Sequence, residues 1–528
     1  MYDFKDNKTT GTVTVTKVWD DGLTNDEREI PDIKISTKKP SKSALGYTVT
    51  FHGNGMKFAG GSEENMVVYN SAGEIVQGEY KLAIGNNVTW CRKPDGGGAV
   101  EIANNGILSA PITEDIDLWA KEMTFEIKGY DSSLYKGNGF NKSIPSTVTE
   151  VIFTDEIKPS SAEVIDVDAD GDGGVVAWTE NDGTVMKVST QIKGIKVQAT
   201  VDSSSMFDMF DSNSNIKKID FKMLDTSKVT DMHQMFTFCS SLTTLDLSSL
   251  DTQNVTDMHQ MFTDCRSLTS LDLTPLDTSN VTGMGYMFSG CSGLTSLDMT
   301  GWNTSNVTSM KYMFSGCIGL TSLDLTPLDT SNVGYMSYMF YNCRALTSLD
   351  LTPLDTSKVH DMSSMFSGCR GLTSLDMTPL DTSKVTSMGA MFNGCSSLTS
   401  LDLTSLDTSN VTYMGSIFSG CIGLTSLDLT PLNTSNVTDM DYMFRDCRGL
   451  TSLDLTPLDT SKVTNMLYMF YDCDGLTSIT TGTKFKFVGT DYELSGTWQN
   501  TAGGTFNGNK GTANFPSNVA DTYTKISN

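Results

Sequence analysis

Between Asp225 and the C-terminal region one phrase returns ten times, its copies beginning at residues 225, 251, 277, 303, 329, 355, 381, 407, 433 and 459. No insertion breaks the period of 26 residues. A unit this short cannot bury its own apolar stripe, so a fixed period of this kind implies units that stack and share one continuous core. The copy from Asp251 to Leu276, DTQNVTDMHQMFTDCRSLTSLDLTPL, contains two rhythms. Val255, Met258, Met261, Phe262 and Cys265 recur every three or four residues, a spacing that predicts a short helical segment. Leu271-Asp272-Leu273 alternates instead, which predicts a strand with leucines inward and Ser270, Asp272 and Thr274 outward. Parallel pairing of such strands at about 4.8 Å would give a rod of roughly 50 Å. Pro275, Pro327, Pro353, Pro379, Pro431 and Pro457 follow the strand, where no further ladder hydrogen bond need be donated. The Asp-Thr-Ser phrase after it predicts an Asx turn, a role that Asn303 and Asn433 can also fill.

Charge narrows the partners. The 528 residues include 63 acidic and 37 basic side chains, a formal net charge of -26, which opposes the phosphate neutralisation that nucleic-acid binding needs. No apolar run reaches the length of about 20 residues that a spanning helix requires. The start MYDFKDNKTT lacks a signal-peptide hydrophobic region, so the expectation is a chain that is not exported or one excised from a longer protein. Ten of the eleven cysteines, Cys239 to Cys473, occupy one position of the repeat and therefore say little about redox compartment. Asn280-Val281-Thr282 matches a glycosylation sequon, but the match recurs simply because the repeat does.

The phrases MFSGCSGLTSLDMT and DTSNVTSM resemble the 26-residue repeat of the BspA-like leucine-rich-repeat surface proteins of bacteria. The resemblance implies an α/β fold: a leucine-rich-repeat-like, right-handed solenoid of about ten coils with parallel stacked strands, spanning 225–482. VIFTDEIKPSSA and VVAWTENDGTVMKVST resemble that family's lead-in, which assigns 128–224 to an N-terminal cap with a degenerate first coil. GTWQNTAGGTF and NFPSNVADTYTKIS resemble its C-terminal cap, over 483–528. YTVTFHGNG with PITEDIDLWAKE is similar to the internalin B-repeat, a β-grasp module expected over 47–127. GTVTVTKVWDDG, within 1–46, looks like the first strand of a Cna B-type domain, although the short span leaves Lys17 without crosslink partners.

Several rows of side chains are candidates for function. Tyr286, Tyr312, Tyr338, Tyr442 and Tyr468 share one repeat position, filled by Ser364, Ala390 and Ser416 in between. Such variation marks a position the core does not dictate, either an aromatic contact surface or a tolerant outer face. Asp246, Asp272, Asp298, Asp324, Asp350, Asp376, Asp402, Asp428 and Asp454 form an outward row. Its carboxylates either attract cations and basic ligands or rest as a solvated face bonded to Ser and Thr. DVDADGDGG sets Asp166, Asp168, Asp170 and Asp172 in an EF-hand-like calcium spacing, but Ala177 stands where a bidentate glutamate is required, and a hairpin turn is the alternative.

The cysteine and methionine columns read as core packing, the thiols buried and reduced. Four histidines, His52, His233, His259 and His360, occur without a nucleophile elbow, a phosphate loop or zinc spacing, so no catalytic residue and no enzyme activity is expected. His233 and His259 would stack in adjacent coils, which repetition of DMHQMF explains without a metal. The resemblance implies an extracellular adhesion or ligand-binding protein at the bacterial surface or secreted, with a protein or glycan partner. No cofactor is expected apart from calcium at the acidic loop. The other reading is a structural rod without a ligand of its own.

Overall fold

The computed structural model describes residues 2–6, 9–13, 47–52, 64–69, 75–77, 88–91, 99–100, 116–129, 139–209 and 215–527. It shows a repeat-protein fold, mostly β structure and turns. Lys17 lies outside the described residues.

Near the N-terminus, Tyr2–Asp6 and Thr9–Val13 form a two-stranded antiparallel pair. A six-stranded mixed sheet follows, in which Tyr47–His52 runs parallel to Ile116–Glu122 and antiparallel to Glu64–Tyr69. The side chains of Val49, Phe51, Val67 and Leu118 are buried on it. A five-stranded sheet then leads into the repeats, with Glu150–Phe153 parallel to both Val185–Ser189 and Lys218–Asp220. Its core is aromatic: Phe140, Phe153, Phe207 and Phe221 pack together, and Phe207 stacks 5.7 Å from Phe236 of the first full repeat.

Within the repeats the predicted helical segment does not form, and the α component of the expected α/β class is corrected accordingly. Gly139–Ser143 is the one α-helix among the described residues. The reason is backbone handedness. Two positions per repeat take positive φ, one at Gln234 (57°), Tyr286 (59°) and Tyr312 (58°), the other at Phe238 (58°), Gly290 (74°) and Gly316 (72°). A left-handed residue ends right-handed helix propagation. The amides then alternate between two partners: Met235 and Thr237 bond three residues back, to Met232 and Gln234, while Met232, Gln234 and Phe236 donate to Asp257, His259 and Met261 of the next repeat at 2.9–3.0 Å. A chain of three-residue turns thus produces the helix-like apolar spacing without a helix.

The inter-repeat ladder forms beside this segment as parallel bridges from Asp202 through Asp231, Asp257, Gly283 and on to Asn465. The Leu-Asp-Leu row, where strands were expected, becomes a regular strand among the repeats only at Ser452–Asp454, with one bridge at Asp272 and Asp298. Along this row each carboxylate accepts the amide two residues on, as Asp272 does from Thr274 at 3.0 Å and Asp454 from Thr456 at 2.9 Å. After the last repeat, Asp521–Ser527 pairs antiparallel with Ser478–Thr481 and occupies the edge of the row.

Candidate functional site

The core columns set the frame. From Phe236 to Phe470 the rings stack in sequence, for example 5.6 Å apart at Phe262 and Phe288 and 6.1 Å at Phe392 and Phe418. The ten repeat cysteines are free and buried. Each thiol also makes a polar contact across coils. Cys265 Sγ donates to the Phe236 carbonyl at 3.1 Å, and the pattern recurs to Cys473 and Phe444. Burial pushes the Cys291 thiol up to about 12, so it stays a neutral donor.

A threonine column that the sequence pattern did not reveal binds successive coils. Thr278 Oγ1 donates to the Asn303 carbonyl at 3.0 Å and accepts the Asn303 amide at 2.8 Å, fully buried. The Asp-Thr-Ser phrase is therefore both an Asx turn, with Ser279 N donating to Asp277 at 2.9 Å, and an inter-coil clasp. Asn280, the sequon asparagine, donates its side-chain amide to the Gln253 carbonyl at 2.7 Å, which gives that residue a structural role.

The tyrosine row lies at the first left-handed position, and its side chains are half-buried. Tyr286 and Tyr312 stack at 4.3 Å, Tyr312 and Tyr338 at 4.2 Å, both with nearly parallel rings. His259 meets Tyr286 edge-on at one end of this run, and Lys311 sits 5.6 Å above Tyr312. Further along, Ser364, Ala390 and Ser416 interrupt the row, and exposed Tyr413 lies across Gly389 and Gly415, where a Cβ on Gly389 would clash with its ring. Tyr442 and Tyr468 resume the row 5.5 Å apart with a tilt of 33°.

The aspartate row is exposed from Asp246 to Asp454 and occupied locally. Asp298 accepts the Thr300 amide, Asp324 that of Thr326 and Asp402 that of Thr404, each at 2.9 Å. The hydrogen bonds from Thr300 hold the Asp298 carboxyl below its ordinary range, and those from Thr352 do the same for Asp350. Asp272 and Asp298 carry the one bridge within the row outside regular strands.

At the acidic loop Asp168, Asp170 and Asp172 bring carboxylate oxygens within 4.8 Å of one another. Asp166 turns away to pair with Lys128 at 2.7 Å. Asp168 accepts the Gly173 and Val175 amides, and Asp172 those of Thr124 and Gly174. The same carboxylates thus also accept backbone amides, as the side chains of a tight turn do. Burial, above the repulsion from Asp172 and Asp170, pushes the Asp168 carboxyl up to about 6.

Two of the histidines make structural contacts with carboxylates. His52 bonds Asp117 at 3.0 Å and His233 bonds Asp231 at 2.8 Å, the latter interaction raising the imidazole's proton affinity. No helix among the described residues is long and apolar enough to cross a membrane.

These geometries define a leucine-rich class of repeat protein whose copies differ at the surface. A family model described as "Mycoplasma protein of unknown function, DUF285" matches residues 204–317, 269–375, 294–400 and 369–482, overlapping segments that cover more than half of the chain. The chain belongs to this family, and its repeats are of the BspA-like leucine-rich kind. A comparison with curated proteins gives no match. Among solved structures, a leucine rich cell surface protein from Faecalibacterium prausnitzii A2-165 is 16% identical, covering 63% of this chain and 87% of its own at a TM-score of 0.32. A leucine-rich repeat protein from Eubacterium ventriosum is 15% identical, covering 57% and 92% at a TM-score of 0.34. The functional domain of InlJ from Listeria monocytogenes, which includes a cysteine ladder, is 20% identical, covering 54% and 65% at a TM-score of 0.18. Superpositions this loose bear on neither ligand nor location.

Sequence reasoning missed the left-handed backbone, the threonine clasp, and Arg445, Tyr471 and Lys510 beside the last tyrosines. One signal was present. After Phe238, the second left-handed position reads Asp264, Gly290, Gly316, Asn342, Gly368, Gly394, Gly420, Asp446 and Asp472, a set that tolerates positive φ.

Proposed function

We propose that the ten repeats form a right-handed solenoid whose tyrosine-bearing face recognises an extracellular protein or glycan at a bacterial surface, without catalysis. One observation carries the reading. The phenylalanine and cysteine columns are unchanged through all ten copies, whereas the left-handed position two residues before each phenylalanine varies from Gln and Tyr to Ser and Ala. A core that never changes permits an outer face that does, and aromatic area that is half-buried before binding loses little entropy when a partner covers it.

The aspartate row from Asp246 to Asp454 is the second candidate surface. The acidic loop serves as a turn in this reading, without calcium; a rise in melting temperature on calcium titration would reverse that assignment. The test of the main reading is a panel of glycans and extracellular-matrix proteins presented to the intact chain. Replacing Tyr286, Tyr312 and Tyr338 together by Ala should weaken a bound ligand about tenfold or more, equivalent to about 1.4 kcal/mol. Changing alternate aspartates of that row to Asn should remove salt sensitivity if a basic partner uses it. If no ligand binds, or a ligand ignores both sets, a structural rod replaces the recognition reading.

A further inference from the structure

The tyrosine row is closed along one stretch and open along another. From Tyr286 to Tyr338 the rings touch at 4.2–4.3 Å and admit nothing between them. At Tyr442 and Tyr468 the rings part to 5.5 Å, and Tyr471 stands edge-on to Tyr468 at 5.4 Å. The Arg445 guanidinium lies 5.5 Å from the centres of both Tyr442 and Tyr471. These four side chains line a solvent-open cavity of about 250 Å³.

The chemistry of the walls selects a ligand. Arg445 and Lys510, the latter 4.2 Å from the Tyr468 ring centre and donating to its hydroxyl, each lie over one face of these rings and repel a foreign cation. The cavity therefore offers mainly donors, a guanidinium edge and phenol hydroxyls, with the Lys510 ammonium beside Tyr468. Arg448 engages Asp446 at 2.7 Å and Asp472 at 3.2 Å, while Arg445 keeps one ion pair, Nε to Asp446 at 3.4 Å. Asp491 and Glu493 also face Lys510, so three cations stand against four carboxylates, a balance of -1 where the whole chain carries -26. One negative group fits there, whereas a polyanion would be repelled by the rest of the molecule.

We propose that this cavity is a subsite for a single carboxylate-bearing sugar ring at the end of a glycan. The proposal rests on the recognition reading above and names its ligand class. A sugar presents an apolar C–H face to a phenol ring and a rim of hydroxyls to the donors. Its carboxylate takes the outer edge of Arg445, the planar fork suited to that group. An acidic peptide side chain supplies the charge without the rim, and the volume suits one ring, being below the roughly 300 Å³ at which drug-sized pockets begin.

The probes are methyl β-glucuronide and methyl β-glucoside, titrated against the intact chain by ligand-observed NMR. The uronide should bind and the neutral glucoside should bind at least about tenfold more weakly. Arg445→Gln and Tyr471→Ala should each cost the uronide about tenfold with the melting temperature unchanged, and added salt should weaken it. Arg266→Gln, an equal charge change at an exposed site elsewhere, should leave binding intact. Equal binding of acid and neutral sugars, indifference to Arg445→Gln, or tighter binding of a glutamyl peptide would each overturn the proposal. So would absence of uronide binding at about 10 mM, a free energy near 3 kcal/mol. The wider recognition reading then stands or falls separately, on the Tyr286, Tyr312 and Tyr338 variant against the macromolecular panel.

Discussion

The phenylalanine column and the tyrosine row lie two residues apart on the same repeats, yet Phe236 to Phe470 is unbroken while the row lapses to Ser364, Ala390 and Ser416. Both stack: Phe314 and Phe340 at 5.8 Å, Tyr312 and Tyr338 at 4.2 Å. Burial separates them, since the phenylalanines are fully covered and the tyrosines are half-covered. Backbone separates them too, because the tyrosine position requires positive φ and the phenylalanine does not. At the first position the fold needs the side chain's volume. At the second it needs the backbone turn, and the side chain is left free to vary.

The largest expected effect is at the column. Phe340→Ala should cost about 3–5 kcal/mol in urea unfolding, because the neighbouring rings cannot collapse into the space without breaking the stack. A loss under about 1 kcal/mol would mean the column is not close-packed and would erase the comparison.

A smaller effect belongs to the row. Tyr312→Ala should cost about 1–3 kcal/mol, the scale of the two stacked pairs it makes with Tyr286 and Tyr338. Tyr312→Gly should be the more stable of the two variants by roughly 1 kcal/mol, since its φ of 58° suits Gly. The usual order, with Ala better than Gly, would refute the handedness argument.

The smallest effect is invisible at neutral pH. Burial, then the neighbouring Tyr338 and Tyr286 phenols, push the Tyr312 hydroxyl well above the ordinary range near 10. A folded pKa above the unfolded one contributes stability that is present below pH 10 and lost as pH rises beyond it. Ultraviolet titration should show a late-ionising phenol in the parent that Tyr312→Phe removes, with melting less sensitive to alkali. The phenylalanine column can show no such step.

Much of the stacking was legible in the repeat. Leu271 and Leu297 are buried as the alternation Leu-Asp-Leu implied, and the Met, Phe and Cys columns face inward. Less legible was local conformation. Val255, Met258, Met261, Phe262 and Cys265 carry a helix spacing, but inter-coil hydrogen bonds outweigh helix propensity and turn the segment into left-handed corners. The Asp row reads as a charged strip, and structure adds that each carboxylate is first a local acceptor.

By itself the sequence determined the period, the inward columns and the acidic surface, because identical units can satisfy one another only in register. Tertiary structure alone decided which residues turn left-handed, which amides bond across coils rather than within them, and where the tyrosine row opens. Those depend on contacts 25 to 29 residues apart, such as Thr278 with Asn303 and Cys265 with Phe236, and on segments beyond the repeat such as Lys510. A single copy of the phrase contains none of them. Its hydrogen bonds are completed only when the next coil arrives.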